Sequence, residues 1–279
     1  MNMHQILRTL LVMISCLTVS ATQTACLNAE GDKYRDPLAR NTYPQYKSDS
    51  CKAIADAIWQ GDTLRIAQLL ASKPELATVV CGEWRVTPLH LAVLCQEAVI
   101  VRLLVNAGAD VHQPDRSRKS ALYYATWIEN NCEILQYLIE RGGDPNKKEV
   151  AAPRYTPFLF AVSMRHSNVP CMLAAGAKIH VEGHPELNAI AFALWKYDFA
   201  LAKFLIQHPL ADVDAPALDA SDRDTVTIDW YLAPARKHFT PWLKYEDEYY
   251  VTKAKASLKA IDEIEELINT MRKKKATSK

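Results

Sequence analysis

Glycine is scarce in this chain, with eight in 279 residues, and none of them builds a phosphate-cradling loop. A G-x-S-x-G nucleophile turn and an H-E-x-x-H zinc helix are missing as well, so three common routes to catalysis lack their signature. No C-x-x-C pair or Cys/His cluster occurs, which removes the usual ligand set of a structural zinc. An excess of either charge is also lacking: 33 basic side chains face 32 acidic ones. That balance argues against a general nucleic-acid binder, which needs a concentrated basic face. The longest apolar run, from Leu10 to Val19, falls well short of the roughly 20 residues that cross a bilayer.

What the chain does contain is a register. The segment TPLHLAVLCQEAVIVRLLVNAGADV at 87–111 returns in parts at intervals of about 33 residues. Thr87 reappears as Ser120, Thr156 and Asn188, each with a side-chain oxygen that accepts from the open N–H groups of a helix's first turn. Pro88 and Pro157 follow two of these caps, where the missing N–H costs nothing. Ala92, Ala125, Ala161 and Ala193 stand five residues after the caps, as suits helices pressed close together. Apolar stripes such as Ile100, Val101, Leu103 and Leu104, or Ile134, Leu135, Leu138 and Ile139, then step at helical spacing. Turns at Gly108-Ala109-Asp110, Gly142-Gly143-Asp144, Gly176-Ala177-Lys178 and the eroded Leu210-Ala211-Asp212 close the units. Each unit is therefore predicted to be a helix pair.

On these residues the chain resembles the ankyrin-repeat family, with its TPLH-type first helix, apolar second helix and GAD-type hairpin turn. The resemblance covers residues 50–214 and implies an all-α solenoid of helix pairs. Only the unit at Thr87 carries TPLH intact, so His90 has no counterpart in the others. The segment 53–70 fits a terminal helix pair without its cap, and 226–231 is a degenerate further start. Beyond these, Val251, Ala254, Leu258, Ile261, Ile264, Ile268 and Met271 line one face of a long amphipathic helix at 247–273. Its expected role is to cap the last repeat, the alternative being a partner helix or a dimer contact.

The ends suggest export. Residues 1–21, with Arg8, the short apolar run and Val19-Ser20-Ala21, read as a signal peptide, and 22–49 as an extended tether. Its removal takes Arg8 and no acid, leaving the charges in balance. The periplasm is the expected location, and membrane attachment follows only if Cys26 or Cys16 is lipidated. Six cysteines remain after cleavage, without a disulfide framework in their spacing. Cys51 and Cys81 flank the first helix pair and Cys95 and Cys132 fall near helix-to-helix turns, so either pair is able to meet. Cys171 reads as a small apolar filler.

Candidate sites follow from the register. In the ankyrin resemblance, the end of each first helix faces the concave, partner-binding side. Seven residues past each cap lie Leu94, Trp127, Ser163 and Trp195, with Trp59 as the terminal equivalent, and the next slot holds Ile128 and Met164. Trp84, Arg116, Lys119 and Tyr155 on the adjoining hairpins complete the expected surface. Indoles there serve either a partner or the packing of imperfect repeats. Hairpin charges run from Arg116, Arg118 and Lys119, through Lys147, Lys148 and Arg154, to aspartates 212, 214, 219, 222 and 224, a polarity that orients a partner. His180, Glu182, His184 and Glu186 form the most suggestive metal-like cluster, yet a solvated turn is the better reading, as it is for the aspartates and for the basic run at 272–275. No cofactor, metal or catalytic residue is expected. The functional expectation is a non-catalytic exported protein that binds another protein. On the resemblance it is specifically a periplasmic immunity protein neutralising a toxin; the alternatives are an envelope adaptor and a secreted effector that engages host proteins.

Overall fold

The computed structural model describes residues 49–149, 156–164, 166–218 and 225–277. The expected export signal and tether, Cys16, Cys26, Arg154, Tyr155 and aspartates 219, 222 and 224 lie outside them. The chain divides into two compact units that part between Gly143 and Asp144.

The first unit is three helix pairs: α1 (Asp49–Trp59) with α2 (Thr63–Ser72), α3 (Pro88–Leu94) with α4 (Ala98–Asn106), and α5 (Ala121–Ala125) with α6 (Cys132–Glu140). First helices pack side by side in the order α1, α3, α5, and second helices in the order α2, α4, α6. Ala92 and Ala125 are fully buried in the first row, where any larger side chain would push the helices apart. Ile100, Val101, Leu104, Leu135 and Leu138 fill the space between rows. The caps do what their residue types require: Thr87 Oγ1 accepts from His90 N–H at 3.4 Å and Ser120 Oγ from Tyr123 N–H at 3.3 Å. At the last turn Gly142 takes φ +98°, a left-handed conformation that ends α6 cheaply only for glycine. A Cβ on Gly143 would sit 2.9 Å from the Leu138 carbonyl oxygen, so this second glycine is needed for close approach.

The second unit holds α7 (Pro157–Met164), α8 (Val169–Ala174), α9 (Ala189–Trp195) and α10 (Phe199–Gln207), followed by a short antiparallel pair, β1 (Ala217–Leu218) with β2 (Thr225–Val226). Two further helices close it, α11 (Leu232–Phe239) and α12 (Glu248–Thr277). Thr156 and Asn188 cap as expected, accepting from Leu159 and Ala191 N–H, both at 3.1 Å. The all-α repeat class is thus met, with one two-stranded ribbon among the described residues.

Helix α12 packs on α10 and α11 through Ala254, Ile261, Ile264 and Ile268, all buried. Its polar side is bonded rather than simply solvated. Arg236 donates to Asp262 at 2.5 Å and Glu265 at 2.6 Å, and Lys203 donates to Glu263 at 2.5 Å. At its far end Arg272 donates to Asp214 at 2.8 Å and Asp229 at 3.1 Å, and Lys275 to Asp212 at 2.9 Å. This corrects two expectations together: the basic tail and the first aspartates of the long loop are one another's partners. They lie some 60 residues apart, so neither run by itself revealed the pairing.

Of the two cysteine pairs expected to be able to meet, one forms and the other does not. Cys51 and Cys81 are disulfide-bonded, Cα atoms 5.9 Å apart, across a separation of 30 residues. Cys132 and Cys171 each take part in a disulfide as well, whereas Cys95 keeps a buried thiol. Cys132 therefore does not pair with Cys95, and Cys171 is a cross-linking residue rather than a filler.

Two outcomes are expected. Closing a loop of this length restricts the unfolded chain by about 3–4 kcal/mol, so Cys51→Ser with Cys81→Ser should lower the Tm by roughly 5–10 °C; an unchanged thermal melt by circular dichroism would refute that role. Hydrogen bonds from Lys275 to Asp212 and from Arg272 to Asp214 and Asp229 hold those carboxyls below the ordinary aspartate value of 3.8. Unfolded, the same groups bind protons more readily, so their contribution is present above pH 3.8 and lost as pH falls through the depressed values. Hydrogen exchange along α12 should accelerate in that acid window, and in Arg272→Ala at neutral pH, with the first unit unaffected.

Candidate functional site

The register residues of the first unit end the first helices or follow them by a turn. Trp59 and Leu94 are the last residues of α1 and α3, and Trp127 lies two beyond α5; all three are half-buried. Because α5 ends at Ala125, the slot after Trp127 already belongs to the turn toward α6. Ile128 is accordingly 2% exposed, so it is core and drops out of the expected surface.

A built cluster surrounds Trp127. Its ring meets Tyr124 edge-on at 4.9 Å and Tyr123 at 6.4 Å. The Lys119 ammonium lies over Trp127 at 4.9 Å, with Tyr124 and Tyr123 at 5.8 and 6.0 Å, a cation on ring faces. Burial lowers the Lys119 pKa, and the nearby Asp115 carboxylate opposes that shift. Asp115 is itself buried, with Oδ1 accepting from Lys119 N–H at 2.8 Å and Oδ2 from the Tyr124 hydroxyl at 2.6 Å. Burial, then this hydrogen bond, raises the Tyr124 pKa and keeps the phenol protonated as the donor.

His90 sets the height of this hairpin. Its Nδ1 accepts from Thr87 N–H at 3.2 Å and meets Thr87 Oγ1 at 2.8 Å, while Nε2 reaches the Lys119 carbonyl at 3.1 Å. A ring that accepts at Nδ1 and donates at Nε2 is the neutral tautomer. The repeat at Asn188 achieves the same reach with another residue: Asn188 Nδ2 donates to the Ala215 and Pro216 carbonyls, both at 3.3 Å. On the neighbouring tip Trp84 is 42% exposed, and its carbonyl accepts from the N–H of exposed Arg116 at 2.8 Å. Trp84, Arg116, Lys119 and Trp127 thus share one end of the first unit.

In the second unit Met164 is 38% and Trp195 43% exposed, at the ends of α7 and α9. Lys196 lies over the Trp195 ring at 5.0 Å. Two features escaped the sequence reading. Tyr197, bulky yet held at φ +59°, stacks on His238 at 4.8 Å, and rings continue through Trp242 to Tyr250, Tyr245 and Tyr249. The clue was the aromatic and acidic stretch at 239–250, which reads as surface or packing until α11 is in place. The second feature is that Glu186 and His184, the core of the metal-like cluster, bond to each other at 3.2 Å while Lys148 also donates to Glu186. Burial pushes the Glu186 carboxyl up, but hydrogen bonds from Lys148, its own backbone and His184 outweigh it and hold it low. Among the described residues no group of three His, Cys, Asp or Glu is placed to hold a metal.

Comparison with known proteins adds the family. Residues 54–149 match the model for ankyrin repeats in three copies. The human protein phosphatase 1 regulatory subunit 27 is 36% identical over 90 residues, covering 32% of this chain and 56% of its own length. The chicken nuclear factor NF-kappa-B p105 subunit is 28% identical over 139 residues, 48% of this chain and 14% of its own. An ankyrin repeat protein of Fowlpox virus (strain NVSL) is 32% identical over 82 residues, 29% and 20% respectively. The chain spans only a minor part of the viral and chicken relatives and just over half of the human one.

Burial lowers the His90 pKa below 6.5, and the bond to the Lys119 carbonyl opposes this only in part. The unfolded chain therefore binds this proton more readily, and stability should fall as pH drops below 6.5 toward the depressed folded value. Melts of the parent and His90→Gln between pH 7.5 and about 5 measure it; equal pH slopes in both would remove His90 as the source.

Proposed function

Because this chain belongs to the ankyrin-repeat proteins, whose repeats are protein-interaction modules, we propose that it binds another protein through the ends of its first helices and the adjoining hairpins. The observation that carries this is the exposure of Trp84 and Trp195, each more than two-fifths open to water at a position where repeats meet partners. An indole held out of a well-packed unit gains its burial on association, and tryptophan recurs among the residues that dominate interface energies. Trp59, Leu94 and Trp127 offer smaller open faces, and Lys119 over Trp127 and Arg116 beside Trp84 add positive charge. Met164 supplies an adaptable apolar contact.

The same reading places the protein outside the cytoplasm, without catalysis, as an immunity protein that neutralises a toxin delivered to the bacterial periplasm. Its support is the export-type pattern at 1–21 together with the bonded cysteines Cys51, Cys81, Cys132 and Cys171, since disulfides persist where the surroundings are oxidising. Co-purification from the periplasm tests it: failure to recover a toxin, with no toxicity relieved by deleting the neighbouring gene, would end the immunity reading. Trp84→Ala and Trp195→Ala should each weaken partner binding roughly tenfold or more, with Tm changed by no more than about 2 °C. Trp127→Ala should cost stability as well, because Lys119 and Tyr124 pack on that ring. Unaltered affinity in both surface variants would refute the proposed face.

A further inference from the structure

In the second unit the hairpin loops at 144–149 and 178–184 line an open groove of about 440 Å3, within the volume range of ligand-binding clefts. Asn146 Oδ1 accepts from Lys178 N–H at 2.9 Å, which joins the two loops, and Asp144 Oδ1 accepts from Asn146 N–H at 2.8 Å, which orients that amide. Val181 and Leu187 contribute an apolar lining; Lys147, Lys148 and Lys178 supply the cations, Asp144 a carboxylate and His184 an imidazole. Their charges are unevenly matched. Lys148 and His184 both serve one carboxylate, that of Glu186, whereas Lys147 and Lys178 have no ion-pair partner among the described residues.

We propose that this groove receives an acidic segment of the protein partner, seating a carboxylate between Lys147 and Lys178. Three features favour a carboxylate-bearing chain over a free oxyanion. Glu186, bonded to Lys148 and His184, shows that a glutamate side chain is accommodated against the neighbouring lining residues. The apolar lining matches the methylenes of such a side chain and gains nothing from phosphate. Backbone N–H groups do not converge on the cavity as they do in phosphate nests: those of Asn146 and Lys178 are already taken by side chains of its own wall. Glu186 is paired in place by Lys148 and Asp144 is engaged by the Asn146 N–H, so Lys147 and Lys178 carry the positive excess that an incoming carboxylate meets.

The inference rests on the protein-binding reading but addresses other residues. The probe is an acetylated, amidated tetraglutamate peptide titrated into the full chain at low salt, followed by amide chemical shifts, with inorganic phosphate and tetralysine as comparators. The peptide should shift amides at 146–148 and 178–184 and bind more tightly than phosphate. Lys147→Glu with Lys178→Glu should weaken it roughly tenfold or more. Lys147→Gln with Lys178→Gln should do so to a lesser degree while retaining the parent circular dichroism. Absence of shifts, indifference to both variants, or phosphate binding as tightly as the peptide would each overturn the proposal. Trp195→Ala should leave peptide binding unchanged. A chain that loses its partner through Trp195→Ala yet ignores tetraglutamate would therefore sink the groove alone.

Discussion

Close approach of successive first helices is the constraint on which the rest depends. Ala92 and Ala125 in the first unit, and Ala161 and Ala193 in the second, are buried to about 1% exposure or less, because a helix pair on its own cannot bury its apolar face and must lay it on a neighbour. That demand fixes which side of each first helix is core. What remains, the helix-end position, is released from packing on one side, whereas the residue after it turns inward at Cys95 and Ile128. Trp59, Leu94, Trp127 and Trp195 occupy that released position, which is why one register describes both the core and the candidate surface.

The hairpins face a second demand, since each must be held at a defined height over the next helix pair. His90 meets it by linking Thr87 to the Lys119 carbonyl, and Asn188 by donating to the carbonyls of Ala215 and Pro216. At Ser120, Asp115 and Tyr124 form a buried bond that ties the hairpin to α5 instead. The solutions differ chemically, yet each satisfies buried polar groups that would otherwise cost about 1–3 kcal/mol apiece. Loss of the TPLH sequence in the later units therefore does not mean loss of the connection it makes.

Local signals carried most of the fold. Caps, alanines, stripes and turns act within a dozen residues, and Thr87, Ser120, Thr156 and Asn188 all cap the helices assigned to them. Ile128 was misplaced because the slot after the helix-end position turns inward: Cys95, its counterpart in the preceding unit, is buried as well. The disulfide partners, the ring row from Tyr197 to Tyr250, and the bonds from Arg272 and Lys275 to Asp214 and Asp212 join residues 30 to 63 positions apart. Composition and periodicity hold no information at that range. The surface was legible as a register, but exposure divided it: Trp84, Met164 and Trp195 are open, Trp59, Leu94 and Trp127 half-covered.

The bonded tail changes the electrostatics of recognition. Read along the chain, the hairpin tips run from basic to acidic, and a partner of opposite polarity would seem to be required. Asp212 and Asp214, however, spend their charge on Lys275 and Arg272, and Arg236 and Lys203 similarly occupy Asp262, Glu265 and Glu263. Exposed pairs of this kind contribute little to stability individually, but they cancel the field that would reach a partner. The basic tips are met differently: Lys119 rests on rings beside the buried Asp115 carboxylate, and Lys147 and Lys178, though Asp144 lines the same cavity, form no ion pair among the described residues. Among the described residues, the charge left open on the hairpins at 144–149 and 178–184 is therefore that of Lys147 and Lys178, and it favours an acidic segment there.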